Sequence, residues 1–306
     1  MQPQSLAGES DRAAADALRA ADIAGRIPVW SSQPGATIIR PSRTFLDLGL
    51  RSLWPYRELL FYLTWRDIKV RYKQTVVGVV WVLLQPVLTM LIFVIIFSKL
   101  AHLKAPGHIP YPLFVFAGLL PWQLFASGMA GVTASVVGNT SLITKVYFPR
   151  LIIPIAAVLS GLVDFAMSLI VLVILMVHYR YVPGLEALAI PFFILVAIAT
   201  ALAAGLWLAM LNVRYRDVQY TIPFLTQAWL LLTPVAYSTS IVPVRYRALM
   251  GINPMTSVVD GFRWAFVGGP APWSHSFAAS LAMVGLILTS GIVFFRRTEK
   301  TFADLI

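Results

Sequence analysis

The sequence predicts an all-α integral membrane protein with six transmembrane helices and both termini in the cytoplasm. Three observations carry that prediction. Of the 306 residues, 58% are apolar and only 12% are charged, and the mean hydropathy is +0.78. A soluble domain carries about 25% charged residues, so the polar coat of a water-soluble protein of this size is missing. Six stretches are long enough to cross a hydrocarbon core of about 30 Å, which takes roughly 20 helical residues. The 24 Lys and Arg, which set a formal charge of +11, divide very unequally between the two sides of those stretches.

Taken in order, residues 1–50 are a polar, Ala-rich leader broken by Gly25, Pro28, Pro34 and Gly35. Disorder or a short loose helix is expected there, and no secretory signal, because no short apolar core precedes a small-residue cleavage site. Residues 51–75 follow, and within them Tyr56 to Lys73 is too charged to span. On a helical wheel Glu58, Tyr62, Arg66, Lys69 and Lys73 share one sector, Leu59, Leu60, Leu63 and Val70 lie opposite, and Asp67 and Arg71 are spaced to pair. This describes an amphipathic helix in the inner interface, with Arg66, Lys69, Arg71 and Lys73 toward anionic headgroups. Composition favours a lipid anchor over the alternative, a partner-binding helix.

The membrane domain occupies residues 76–295. Its spans are Val76–Phe97, Leu113–Val137, Leu151–Val177, Ala187–Leu211, Val218–Val242 and Ser276–Phe295, and Asp164 is the only charged residue inside them. An intramembrane acid is a functional candidate by default, with pairing to a neighbouring helix an equal explanation. Eighteen Lys and Arg fall on the side of the termini and six on the other side, so the positive-inside rule places both termini in the cytoplasm. The tail, residues 296–306, reads as a basic inner-face anchor.

The loop after span two, Asn139–Arg150, has room for about two helical turns before Pro149. It sets Asn139, Ile143, Lys145 and Arg150 around an exposed-looking Val146-Tyr147-Phe148 cluster. Aromatics seated among headgroups and aromatics on a protein contact fit that pattern equally. Between spans five and six, residues 243–267 break into two half-helices at Gly251, with Asn253 as an N-cap, Pro254 at the first helical position and Gly268 as a stop. Neither half can cross, so a re-entrant pair dipping from the outer face is expected, with an outer-surface hairpin as the alternative.

Span five carries Thr226, Gln227, Trp229, Thr233 and Tyr237, and span one adds Gln85 and Thr89. Uncharged polar groups mixed with aromatics suit a path for a neutral, hydroxyl-rich substrate; for any single Thr or Gln, a bond between helices is the better explanation. The excluded classes are equally informative. There are no cysteines, and none of the 19 glycines precedes a lysine, so thiolate sites and a Gly-x4-Gly-Lys phosphate loop are absent. No relay of acids and histidines threads the spans. The basic composition lies mostly around lipid-length segments and does not make a nucleic-acid footprint.

Five separated blocks carry a resemblance: Trp65–Pro86, Ile143–Pro154, Leu211–Val218, Ile252–Gly268 and the ending FRRTEKTFADLI. Together with six spans they resemble the membrane-spanning subunit of bacterial polysaccharide ABC exporters, which serve O-antigen, capsule and teichoic-acid polymers. The resemblance implies a permease in the inner membrane that works as a homodimer with two copies of a separate ABC ATPase. That partner would bind ATP and Mg, and this chain would hold no cofactor, metal or catalytic residue. Asn139–Arg150 would be the coupling helix docked on the ATPase, Tyr56–Lys73 the interface helix, and spans one and five the lining of a channel for a lipid-linked polysaccharide. Other expectations are a related permease for a drug or small lipid, a membrane glycan or lipid transferase, and a passive channel. The transferase would need carboxylates or histidines gathered at one level, which Asp164, Glu186 and Asp260 do not provide.

Overall fold

The computed structural model describes residues 50–73, 76–273 and 275–299, so the leader and the last residues of the tail, with the expectations placed on them, lie outside the described residues. Every regular element described is helical. In hydrocarbon this is the form in which a segment satisfies all its own backbone groups. After a 3-10 turn, Leu50–Tyr56, the helices are α1 (Arg57–Tyr72), α2 (Val76–Phe93, continued by a π-helical stretch Val94–Leu100), α3 (Tyr111–Gly138) and α4 (Thr140–Lys145). They are followed by α5 (Ile152–His178), α6 (Ile190–Arg214), α7 (Val218–Leu232), α8 (Val244–Ile252), α9 (Pro254–Val267) and α10 (His275–Glu299).

Five helices among the described residues are long and apolar enough to cross a membrane: Val80–Leu100, Tyr111–Gly138, Ile152–His178, Leu185–Arg214 and His275–Glu299. The remaining predicted span, Val218–Val242, is interrupted. Helix α7 ends after 15 residues because Thr233 turns extended, with φ −96° and ψ 134°. The next residue is Pro234, whose ring disfavours helical backbone at the residue before it and which has no N–H to donate. At about 1.5 Å per residue, α7 covers roughly 22 Å, short of a hydrocarbon core. The chain continues as irregular backbone to a 3-10 turn, Thr239–Ile241.

Helix α3 is the axis of the bundle and packs against α6, α5, α9, α2 and α7. In its most apolar window 78% of residues are buried, against 11% for α2; one helix is enclosed on all sides and the other is left largely uncovered. Close approach to α3 rests on small residues. A Cβ placed on Gly205 of α6 would stand 2.6 Å from the Val132 Cβ and 3.2 Å from the Met129 carbonyl of α3. Where lipid gives no hydrophobic drive between helices, such close contact is what dispersion attraction needs.

The α8–α9 corner follows the expected punctuation with one shift. Helix α8 runs through Gly251 and ends at Asn253, whose Oδ1 accepts from the Met255 backbone N–H at 3.1 Å and so starts α9. Gly268, at φ 65°, closes α9 in the left-handed conformation. The Gly205 contact predicts that Gly205→Ala lowers stability by about 1–3 kcal/mol. Gly285→Ala, where nothing stands within 4 Å of the added Cβ, leaves stability unchanged or slightly raised. Thermal unfolding of both variants in one detergent checks the contrast.

Candidate functional site

Two polar assemblies mark opposite ends of α3. At the α4 end, Asn139 closes α3 by donating from Nδ2 to the Ser135 carbonyl at 2.8 Å, and its Oδ1 accepts from the Arg66 guanidinium at 2.7 Å. The same guanidinium binds Asp67 Oδ1 at 2.7 Å, so the acid expected to serve Arg71 is held by Arg66. Arg71 and Tyr72 instead both donate to Asp164 of α5. The one acid inside the spans expected from the sequence is therefore partnered by the end of α1. Burial, and then the bond to Asp164, pushes the Tyr72 phenol well above its ordinary range, which keeps it a donor at physiological pH.

Helix α1 departs from a pure lipid anchor in that its first turns pack on the bundle. Leu63 is buried and Leu59 and Leu60 pack on the core, but Val70, on the same side of the wheel, is 75% exposed. Apolar contact is confined to the first turns, and polar contacts on Asp164 hold the last one. Lys69 and Lys73 face outward, with Lys69 5.7 Å from the Trp65 ring.

The segment after α4 corrects a second expectation. Val146 is extended, at φ −128° and ψ 135°, and extended backbone sends successive side chains to opposite sides. Tyr147 is 74% exposed, whereas Phe148 is 4% exposed and belongs to the core. Val146 and Lys145 are exposed and Ile143 is buried. The surface therefore presents Lys145, Val146 and Tyr147 without Phe148. Arg150 closes the loop by donating to the Glu299 backbone carbonyl, with its Nε 4.0 Å from the Glu299 carboxylate. The α4 segment is thus tied to α1 at one end and to α10 at the other.

The polar side chains expected along a path on α2 and the interrupted segment divide into two groups. Gln85 and Gln227 are exposed, and Thr89 and Thr226 return their hydroxyls to helix carbonyls one turn back at 2.9 Å. Trp229 and Thr233 turn inward, and Tyr237 is half-buried. Trp229 Nε1 donates to Asn253 Oδ1 at 3.0 Å, and the fully buried Thr233 accepts from Asn253 Nδ2 at 3.0 Å. The Tyr237 hydroxyl donates to the Leu231 carbonyl at 3.2 Å.

At the α9 end stands the residue the sequence reading undervalued. Arg263, counted there only as one of six outer positives, is 3% exposed. Its guanidinium donates to the carbonyls of Pro234 at 2.6 Å, Val235 at 2.5 Å, Tyr237 at 3.2 Å and Phe114 at 3.3 Å, and lies 3.7 Å from the Phe114 ring centre. Tyr111 serves the remaining carbonyl of the break, Ala236, at 2.6 Å. Asp260 stands 3.7 Å from Arg263 and accepts from Thr239 at 2.7 Å. A cleft of about 70 Å³ opens beside them, lined by Ser238, Thr239, Ser240, Asp260 and Arg263. The available signal was an arginine alone among apolar neighbours, FRWAFV, in a segment expected to dip into the membrane.

Removing that guanidinium leaves several buried carbonyls without donors. Arg263→Leu is expected to cost about 3–5 kcal/mol, measured as lost thermal stability and lost membrane yield. Arg263→Lys does not restore it, because three donors on a point cannot serve four carbonyls held in a fork.

Comparison with known proteins places these features in a family. A family model described as ABC-2 type transporter matches residues 58–267. The O-antigen export system permease protein RfbA of Myxococcus xanthus is 31% identical over 259 residues, 84% of this chain and 98% of that protein. RfbA of Klebsiella pneumoniae is 27% identical, covering 81% of this chain and 95% of its own, and the polysialic acid transport protein KpsM of Escherichia coli is 22% identical, covering 77% and 91%. With its helical bundle, interrupted α7 and α4 segment all inside or beside the matched residues, the chain belongs to the ABC-2 type transporter family.

Proposed function

We propose that this chain is the permease subunit of an ATP-driven exporter that moves a lipid-linked polysaccharide across the inner membrane. The single observation that carries the reading is the α4 segment. It presents Lys145, Val146 and Tyr147 outward, while Ile143 and Phe148 anchor it in the core and Arg66 and Arg150 tie its two ends to α1 and α10. A surface held that firmly, with an aromatic tip, suits a protein partner better than headgroups do. The relatives named for O-antigen export and polysialic acid transport give the cargo class.

In this reading the α4 segment is the coupling helix and faces the cytoplasm, as do both termini. A separate ABC ATPase, present in two copies, docks on Tyr147 and binds ATP and Mg. Six segments cross: five as long helices and Val218–Val242 as α7 plus its interrupted continuation. Helices α8 and α9 form the outer re-entrant pair. Two copies of the chain enclose the path, with the uncovered faces of α2 and α7 turned toward it. Gln85 and Gln227, the exposed amides on those helices, are available to sugar hydroxyls. Thr89 and Thr226 lie beside them, Trp229 and Thr233 brace the wall from behind, and Tyr237 is half-buried beyond the end of α7.

Deleting the gene is expected to strand lipid-linked glycan inside the cell, and the absence of such material refutes the cargo. Docking is tested by a pair of variants. Tyr147→Ala is expected to lower co-purification of the ATPase about tenfold with the chain's own stability unchanged. Phe148→Ala costs the chain about 3–5 kcal/mol, because it empties a core position. Equal co-purification of Tyr147→Ala and wild type sinks the docking surface.

A further inference from the structure

We infer that Asp164 is a positioning residue of the transport cycle, pinning the end of α1 to α5 so that movement of the docking segment is handed to α2. The inference rests on the permease reading above. Two contacts in different places carry it. Arg66, near the middle of α1, binds Asn139 at 2.7 Å, at the root of the docking segment. Arg71 and Tyr72, in the last turn of α1, both donate to Asp164. Helix α2, assigned to the channel wall, begins at Val76, four residues after Tyr72 in the chain.

The chemistry of Asp164 makes the second contact a discrete fastening. It stands roughly 18 Å along α5 from Ile152, inside an otherwise uncharged span, and its side chain is 22% exposed. A carboxylate at that depth is costly without a cation and a hydroxyl donor, so separating it from Arg71 and Tyr72 leaves an uncompensated charge. Arg71 keeps 40% of its side-chain surface exposed, which leaves the pair accessible to rearrangement instead of sealed in a core. Closure of the ATPase shifts the α4 segment; Arg66 carries that shift into α1; the Asp164 fastening decides whether α1 turns about its end or takes α2 with it. Its donors, Arg71 and Tyr72, lie in the last turn of α1, which ends four residues before the start of α2.

The test uses the full chain with its ATPase partner in a host deleted for the native gene, reading ATP hydrolysis in membranes and the host's own glycan at the cell surface. Asp164→Leu is expected to keep partner co-purification and ATP hydrolysis within about twofold of wild type while surface glycan falls about tenfold or more. Asp164→Glu restores at least half of the export, and the reversal Arg71→Asp with Asp164→Arg recovers more than either single change. Wild-type export by Asp164→Leu overturns the inference, as does an export loss matched by an equal loss of bound ATPase. Should Asp164→Leu fail to accumulate, Asp164→Asn, which keeps an acceptor for Tyr72, decides by the same ratio of export to hydrolysis. Failure of the wild-type chain to restore surface glycan would refute the permease reading instead.

Discussion

A buried carbonyl that leaves a helix must find another donor, and that constraint governs the α9 end of the molecule. Helix α7 stops at Leu232, and the carbonyls of Pro234, Val235, Ala236 and Tyr237 are released. All four find donors, three from Arg263 and one from Tyr111. The reciprocal problem, a guanidinium that is 3% exposed, is met by the same carbonyl dipoles, by the Phe114 face and by Asp260. Each half of the arrangement would be prohibitive alone. Helix α9 must therefore start and stop where it does, and Asn253 does double duty: it caps α9 and holds Trp229 and Thr233 at the end of α7.

The same constraint is met differently around α3. There no backbone is broken, and the small residues facing it allow α5 and α6 to come close enough for dispersion to act. That close packing draws α5, α6, α9 and α10 into one body and leaves α2 and α7 with thin contact to the rest. Trp81, Leu84, Leu88, Leu91 and Ile92 of α2 and Tyr220, Phe224, Leu231 and Leu232 of α7 stay exposed. Uncovered apolar helices are at home in lipid or against a second copy, and helices with few internal contacts are the ones free to move.

Much of this was legible in the sequence, for identifiable reasons. Spans announce themselves through composition, which needs no partner to be read. Asn253-Pro254 and Gly268 are local signals, and they give the ends of α9 correctly. Features that depend on a partner were hidden. Pro234 was visible as a breaker, but what relieves the break lies 29 residues away from it at Arg263. Asp164 was visible as anomalous, yet its donors are 92 and 93 residues distant. Phe148 was read as exposed because a helical loop would cluster it with Tyr147; extended backbone at Val146 separates the two. Val70 shares the apolar side of the wheel with Leu63, yet only Leu63 meets the bundle, because α1 makes apolar contact with it in the first turns alone.

The distribution of basic residues carries a further distinction that counting by side conceals. Lys69, Lys73, Lys99, Lys104 and Lys145, the lysines among the described residues, are all exposed. The cations that reach across the fold, Arg66 to Asn139, Arg71 to Asp164, Arg150 to Glu299 and Arg263 to the broken segment, are all arginines. A guanidinium is more weakly hydrated than an ammonium and offers five donors in a plane, so it can leave water and satisfy several acceptors at once. These four arginines therefore serve as internal fasteners, and the lysines as surface charge. Both kinds contribute equally to an orientation rule, but the arginines that reach across the fold are partly engaged in internal contacts, whereas the lysines, with exposed arginines such as Arg57, Arg214 and Arg216, form the face that lipid or a partner can touch. Judged by position instead of number, the excess positive charge is in part a set of joints that hold α1, the α4 segment, α10 and α9 to the bundle.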